Sequence, residues 1–178
     1  MGGSLGADAI NNALVEMLTS LKDDKNICFL HATGSFGKWV GDKLRENGVE
    51  FGQGTNIEIR EYIDNMDICL PACDLVISRA GASSLSEIQA LAKPSILVPS
   101  PNVAENHQYH NAMTLKRIGA AEIIEEKDLS DDNLIHVVSN LIENKPRLNE
   151  MSAAATKGAI IDANERIYEI IMQLYTNA

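Results

Sequence analysis

The chain has 178 residues and a mass of 19.4 kDa, the size of one compact domain or one lobe of a larger enzyme. Lys plus Arg number 15 against 25 Asp plus Glu, a formal charge of −10, and aromatic residues make up 4%. That balance, with no basic run, excludes a general nucleic-acid binder and a chain that docks by itself on an anionic membrane, and it leaves few rings for stacking bases or sugars. Hydrophobic residues reach 45%, ample for a core. Ile10, Leu14, Met17, Leu18 and Leu21 recur at helical spacing and predict a first helix. Ile27 to Leu30 is a short buried-strand run. A second helix is expected around Trp39, Val40 and Leu44, closed by Gly48. Ile57 to Ile63 is strand-like, Met66 to Cys73 a short helix, Leu75 to Ser78 a strand, and Ser84 to Leu91 a helix. Ser95 to Val98 forms a strand stopped by Pro99, a helix runs from about Asn106 to Ile118, and a strand covers Ala121 to Ile124. The remainder is helical, through Leu134, Val137, Val138, Leu141 and Ile142 and then a long stripe from Ile160 to Leu174.

Short apolar strands alternating with amphipathic helices imply an α/β fold, a Rossmann-like parallel sheet with helices on both faces. No internal repeat or linker divides it, so residues 1–178 read as one unit. The segment Gly2-Gly3-Ser4-Leu5-Gly6-Ala7 has the composition of a strand-to-helix turn, yet only Met1 precedes it. Such a turn normally starts at the carboxyl end of a central first strand. The expectation is a sheet lacking its first strand. The gap would be closed, disordered around Gly2 to Ala7, or filled by self-association of the chain.

Cys28, Cys69 and Cys73 are too few for a disulfide framework and read as reduced thiols. Cys69 and Cys73 lie one helical turn apart, but no second pair completes a metal site, so both read as small buried apolar residues. No stretch approaches a transmembrane helix and no secretory signal is present at the start.

Three glycine-containing segments stand where strands meet helices: Gly2 to Ala7, Ala32-Thr33-Gly34-Ser35-Phe36-Gly37, and Ser78-Arg79-Ala80-Gly81-Ala82-Ser83-Ser84-Leu85-Ser86-Glu87. In a parallel sheet all three belong on the edge where open α/β folds bind ligands, and free N–H groups at a helix start attract phosphate. The first turn is not G-x-G-x-x-G, the second strand ends without a carboxylate, and no P-loop lysine motif exists, so dehydrogenase and P-loop chemistry are disfavoured. Glu87, expected on the first turn of its helix, reads equally as an acceptor for a ribose diol or as a charge favoured by the helix dipole. The stretch from Pro99 to Ala112 concentrates polar side chains. His107 and His110 have the spacing of a metal pair but no third ligand, so contact with a sugar or amide is the better reading. His31 and His136 stand alone and carry no signal.

The pairing of Gly2 to Ala7 with Ser78 to Ile88, and of Pro94-Ser95-Ile96-Leu97-Val98-Pro99 with Glu105-Asn106-His107-Gln108, resembles the C-terminal lobe of the MurG family of bacterial N-acetylglucosaminyltransferases. The resemblance spans essentially the whole chain. It implies one lobe of a GT-B enzyme that binds UDP-N-acetylglucosamine, with an N-terminal lobe, absent from this chain, that holds the lipid I acceptor and the base. It further implies an inverting transfer that gives lipid II for peptidoglycan, cell shape and division. The parent would sit on the cytoplasmic face of the membrane, while this piece is soluble. By the same resemblance Ser4 meets the donor diphosphate and the backbone at Ile63 meets uracil. Ala82, Ser83, Ser84, Leu85, Ser86 and Glu87 form the phosphate-proximal helix start, with Glu87 on the ribose. Gln108 holds sugar hydroxyls. His107 and Leu5 stand where some relatives carry glutamine. No catalytic residue, cofactor or metal is implied in this part, and no Asp-x-Asp metal motif is present. The alternatives are a lobe of a nucleotide-sugar epimerase or of another glycosyltransferase, or a non-catalytic nucleotide-sugar-binding module.

Overall fold

A computed structural model describes residues 2, 3 and 5–176. Among them the order is α1 (Asp8–Leu21), β1 (Phe29–Ala32), α2 (Trp39–Glu46), β2 (Ile57–Arg60), α3 (Met66–Ala72), β3 (Val76–Ser78), α4 (Ala82–Ala90), β4 (Ser95–Leu97), α5 (His107–Arg117), β5 (Ala121–Ile123), α6 (Asp131–Glu143), α7 (Lys145–Lys157) and α8 (Ala163–Thr176). Among the described residues the strand pairings are parallel: β1 with β2, and β3 with β4 with β5. The sheet is therefore in two hydrogen-bonded parts, one of two strands and one of three.

Alternation along the strands sorts side chains to two faces. On β4 and just beyond it, Ile96 and Val98 enter a core with Ile10, Leu14 and Met17 of α1, Leu134 and Val138 of α6 and Met151 of α7. Leu97 between them joins the opposite core with Leu85 and Ile88 of α4, Ala112 and Leu115 of α5 and Ala155 of α7. Helices thus cover both faces, as the apolar strands required. Helix α1 packs on both α2 and α6, and Phe29 of β1 touches the core that holds Ile96 as well as the one under α2. Side-chain packing therefore joins the two parts.

Several boundaries differ from the sequence expectation. Strand β1 lies two residues later than Ile27–Leu30, because pairing begins at Phe29 opposite Ile57, and Asn56 Nδ2 takes the Ile27 carbonyl out of the strand. Strand β2 stops at Arg60 rather than Ile63. Helix α4 starts two residues earlier than expected, at Ala82. Cys28 is exposed and Cys69 and Cys73 are half-buried, so the expected burial of the latter pair is only partial. Burial holds the Cys73 thiol above its usual pKa. Helix α8 buries no side chain and leaves Ile167, Ile170, Ile171 and Leu174 exposed along one stripe.

Candidate functional site

Two clusters of loop and helix start form at the ends of these strands. The first is built on the carbonyl of Thr33, just past β1. Gly6 (φ +91°) and Gly37 both lie so close to that oxygen that a Cβ on either would collide with it. Gly34 (φ +73°) presses on the backbone of Leu5 and Gly6 in the same way. Only glycine permits that approach and those dihedrals together. The interlock is completed by Phe36 N–H donating to the Leu5 carbonyl at 3.1 Å, while Thr33 and Gly34 N–H groups donate to Arg60 and Glu61 at 2.9 and 3.0 Å. The first two glycine segments are therefore one structure. Ser4, expected on the diphosphate, lies outside the described residues.

Ile63 sits three residues past β2 in a loop, not at a strand end, but its side chain is buried. That burial fixes the backbone around it without a ladder.

The second cluster lies past β3 and β4. Helix α4 is capped by Gly81, which has extended backbone and offers no side-chain cap. By contrast α6 and α7 are capped by Ser130 and Asn144, whose side chains accept from Asn133 and Arg147 N–H groups. In α4 the first intrahelical acceptance is Leu85 N–H to the Gly81 carbonyl at 3.0 Å, so helix geometry aims the N–H groups of Ala82, Ser83 and Ser84 out of the helix start. Leu85 itself points into the core, and the Ser86 hydroxyl donates back to the Ala82 carbonyl. Leu85 therefore presents no side chain for a ligand, whereas the Ser86 hydroxyl is exposed. Glu87 is exposed on the second turn, since α4 begins at Ala82 and its first turn holds no acid. The dipole explanation for Glu87 loses force, because that effect fades beyond the first turn.

Gln108 joins the loops after β3 and β4. Its Oε1 accepts from Ala80 N–H at 3.3 Å and from Ser100 N–H at 3.0 Å. With that oxygen committed to backbone, the amide Nε2 is the group left to donate. Asn111, one turn along α5, donates from Nδ2 to the Ala80 carbonyl at 3.2 Å, so α5 grips both polar atoms of that peptide residue. Arg79 extends the brace. Its guanidinium bonds the carbonyls of Val98 and Pro99 and pairs with Glu126 at 2.5 Å, both side chains being largely covered. The turn into α5 is strained: Glu105 and Asn106 are both left-handed, at φ 52° and 50°, at a cost of order 1–3 kcal/mol each. His107 begins α5, is exposed, and contacts the Ala104 carbonyl through Nδ1 at 3.0 Å. Among the described residues no group of three potential metal ligands exists.

Sequence reasoning missed Asn11, His31, Asn111 and Arg79. His31, dismissed as solitary, is 4% exposed and its Nε2 meets Asn11 Oδ1 at 2.9 Å. Burial pushes its pKa down to about 3. The available signal was a polar residue inside each apolar pattern: Asn11 directly beside Ile10 of the helical stripe, and His31 after Phe29-Leu30.

A parallel α/β layer whose glycine turns and an uncapped helix start gather past the strand ends defines a lobe of the doubly wound class, in which that edge is where ligands bind. The sequence profile described as Glycosyltransferase family 28 C-terminal domain matches residues 1–171, and the chain belongs to that family. Its relatives include the UDP-N-acetylglucosamine--N-acetylmuramyl-(pentapeptide) pyrophosphoryl-undecaprenol N-acetylglucosamine transferases of Bacillus cytotoxicus and Desulforamulus reducens. The first is 42% identical over 173 residues, covering 97% of this chain and 46% of the relative. The second is 41% identical over 157 residues, covering 88% and 42%. The crystal structure of Acinetobacter baumannii MurG superposes with a TM-score of 0.81 at 27% identity, over 97% of this chain and 48% of that one. The fold is thus one lobe of a GT-B glycosyltransferase, and the chain spans about half the length of the curated relatives it matches.

Proposed function

We propose that this chain is the donor-binding half of an inverting N-acetylglucosaminyltransferase that moves the sugar of UDP-N-acetylglucosamine onto lipid I to give lipid II. The lipid I acceptor and the base belong to the half of the relatives' length that lies outside this chain. The whole protein would work on the cytoplasmic face of the membrane. Among the described residues no helix is long and apolar enough to cross one.

The observation that carries the reading is the second cluster, where Gln108 ties the glycine-capped start of α4 to the loop after β4. In the proposed assignment the outward N–H groups of Ala82, Ser83 and Ser84 share the diphosphate with the first glycine turn, which carries Ser4, and Glu87 accepts from the ribose hydroxyls. The backbone at Ile63 reads uracil, and Gln108 Nε2 donates to a sugar hydroxyl. His107, at the head of α5, flanks the sugar. Leu85 contributes backbone only, while the exposed Ser86 hydroxyl keeps its capacity to accept. As the glycosidic bond breaks, negative charge grows on the departing UDP. A helix start stabilises that charge without reorganising, which suits a site built from backbone dipoles.

Calorimetry with UDP-N-acetylglucosamine in the presence of EDTA tests the proposal. Binding by the folded chain is expected to survive the chelator. No binding, or binding restored only by Mg²⁺ or Mn²⁺, refutes it. With lipid I, turnover is expected from the full-length parent and not from this chain alone.

A further inference from the structure

We propose that His31 and Asn11 are positioning residues that hold the glycine turn at Leu5 and Gly6 in a diphosphate-receiving shape by pinning the Thr33 carbonyl. The proposal deepens the donor-binding reading and rests on it.

The argument starts from one oxygen. The Thr33 carbonyl stands where Gly6 and Gly37 make their closest approaches. Any movement of this carbonyl therefore moves the turn stacked on it. Asn11 Nδ2 donates to it at 3.0 Å from the early part of α1. That bond connects the helix following the glycine turn to the loop on which the turn rests.

The orientation of the Asn11 amide is then determined. A carbonyl oxygen only accepts, so Nδ2 must face Thr33 and Oδ1 must face His31. Oδ1 also only accepts, so His31 Nε2, 2.9 Å away, must carry a proton. His31, Asn11 and Thr33 form a one-directional chain of donation: imidazole N–H to amide oxygen, amide N–H to carbonyl. His31 and Thr33 alternate with Ala32 and lie on the same side of the β1 line, and both are buried, as is Asn11 at 1% exposure. Burial keeps the imidazole neutral across the working range of pH, with its proton on Nε2. A purely apolar clasp could fill the same volume. It could not set the direction of the Thr33 carbonyl, and hence the pose of Gly6 and Leu5 above it. Preorganising a turn in this way strengthens ligand contacts made by that turn and leaves contacts made elsewhere unchanged.

The test compares UDP with uridine by calorimetry on the 178-residue chain, its His31→Phe variant and its His31→Gln variant. The original chain is expected to prefer UDP strongly. His31→Phe should lose about tenfold or more in UDP affinity while uridine changes less than about twofold. His31→Gln, which keeps a donor near the Nε2 position, should restore most of the preference. Equal weakening of both ligands, or an undiminished preference in His31→Phe, overturns the positioning role while leaving the donor reading intact. No UDP preference in the original chain overturns the donor reading itself. Should His31→Phe fail to fold, imidazole ¹⁵N resonances of the original chain decide the matter. A neutral Nε2–H tautomer whose proton shifts on adding UDP but not uridine is the expected result. An Nδ1–H tautomer, or an Nε2–H signal indifferent to UDP, overturns the proposal.

Discussion

Acidification should destabilise this fold through His31 in a way that a non-titrating residue at the same position abolishes. Burial lowers the folded-state pKa to about 3 from an ordinary value of 6.5. The folded protein therefore takes up no proton here in the range where the unfolded chain does. The sign follows from linkage. The stabilising contribution is fully present above about 6.5 and is lost as pH falls from there toward about 3. Each pH unit in that window costs about tenfold in the folding equilibrium, so a drop from pH 7.5 to 4.5 removes about 2–3 kcal/mol. For a domain of this size that corresponds to a shift of roughly 1 M in the urea midpoint. Carboxylates also titrate below pH 5, so the measurement is a difference. Urea unfolding of the original chain and of His31→Gln is followed between pH 7.5 and 4.5. The original chain should lose 2–3 kcal/mol more than the variant. Parallel pH dependence in the two proteins would show that His31 is not buried neutral, and would remove the basis for the directed hydrogen-bond chain.

Glu87→Ala should weaken UDP by about 1.5–3 kcal/mol and leave uracil unaffected, because a charged acceptor to the ribose is lost; equal loss for both ligands in calorimetry removes Glu87 from the ribose role. Gln108→Ala removes the acceptor shared by Ala80 and Ser100. It should reduce UDP-N-acetylglucosamine affinity more than UDP affinity, and an identical effect on both would confine Gln108 to bracing the loops. The isolated chain should self-associate at raised concentration, through the exposed stripe of α8 rather than through a strand edge, since Ile167, Ile170, Ile171 and Leu174 offer an unpartnered apolar seam. Sedimentation should then show Ile167→Asp with Ile171→Asp as monomeric, and a monomeric original chain at all concentrations contradicts this.

Periodicity in the sequence was enough for the α/β class and the helix faces. Ile10, Leu14, Met17 and Leu18 are buried as their spacing requires, and the alternation of Ile96, Leu97 and Val98 between two cores follows from strand geometry. Those patterns are local, each recording which face of one element meets a core. The glycine segments and the polar run before α5 were visible for the same reason, since backbone conformation and helix starts constrain residue type within a few positions. What the pattern could not set were boundaries fixed by a distant partner. Strand β1 begins where Ile57 is available to pair with Phe29. Helix α4 begins at Ala82, moving Glu87 to the second turn. The clasp around Thr33 was equally out of reach. Asn11 and His31 are 20 residues apart, and each taken alone is a polar residue in an apolar pattern. Only folding α1 back over the end of β1 brings their hydrogen-bonding groups within 3 Å of each other, in a place dry enough for the direction of each bond to be determined.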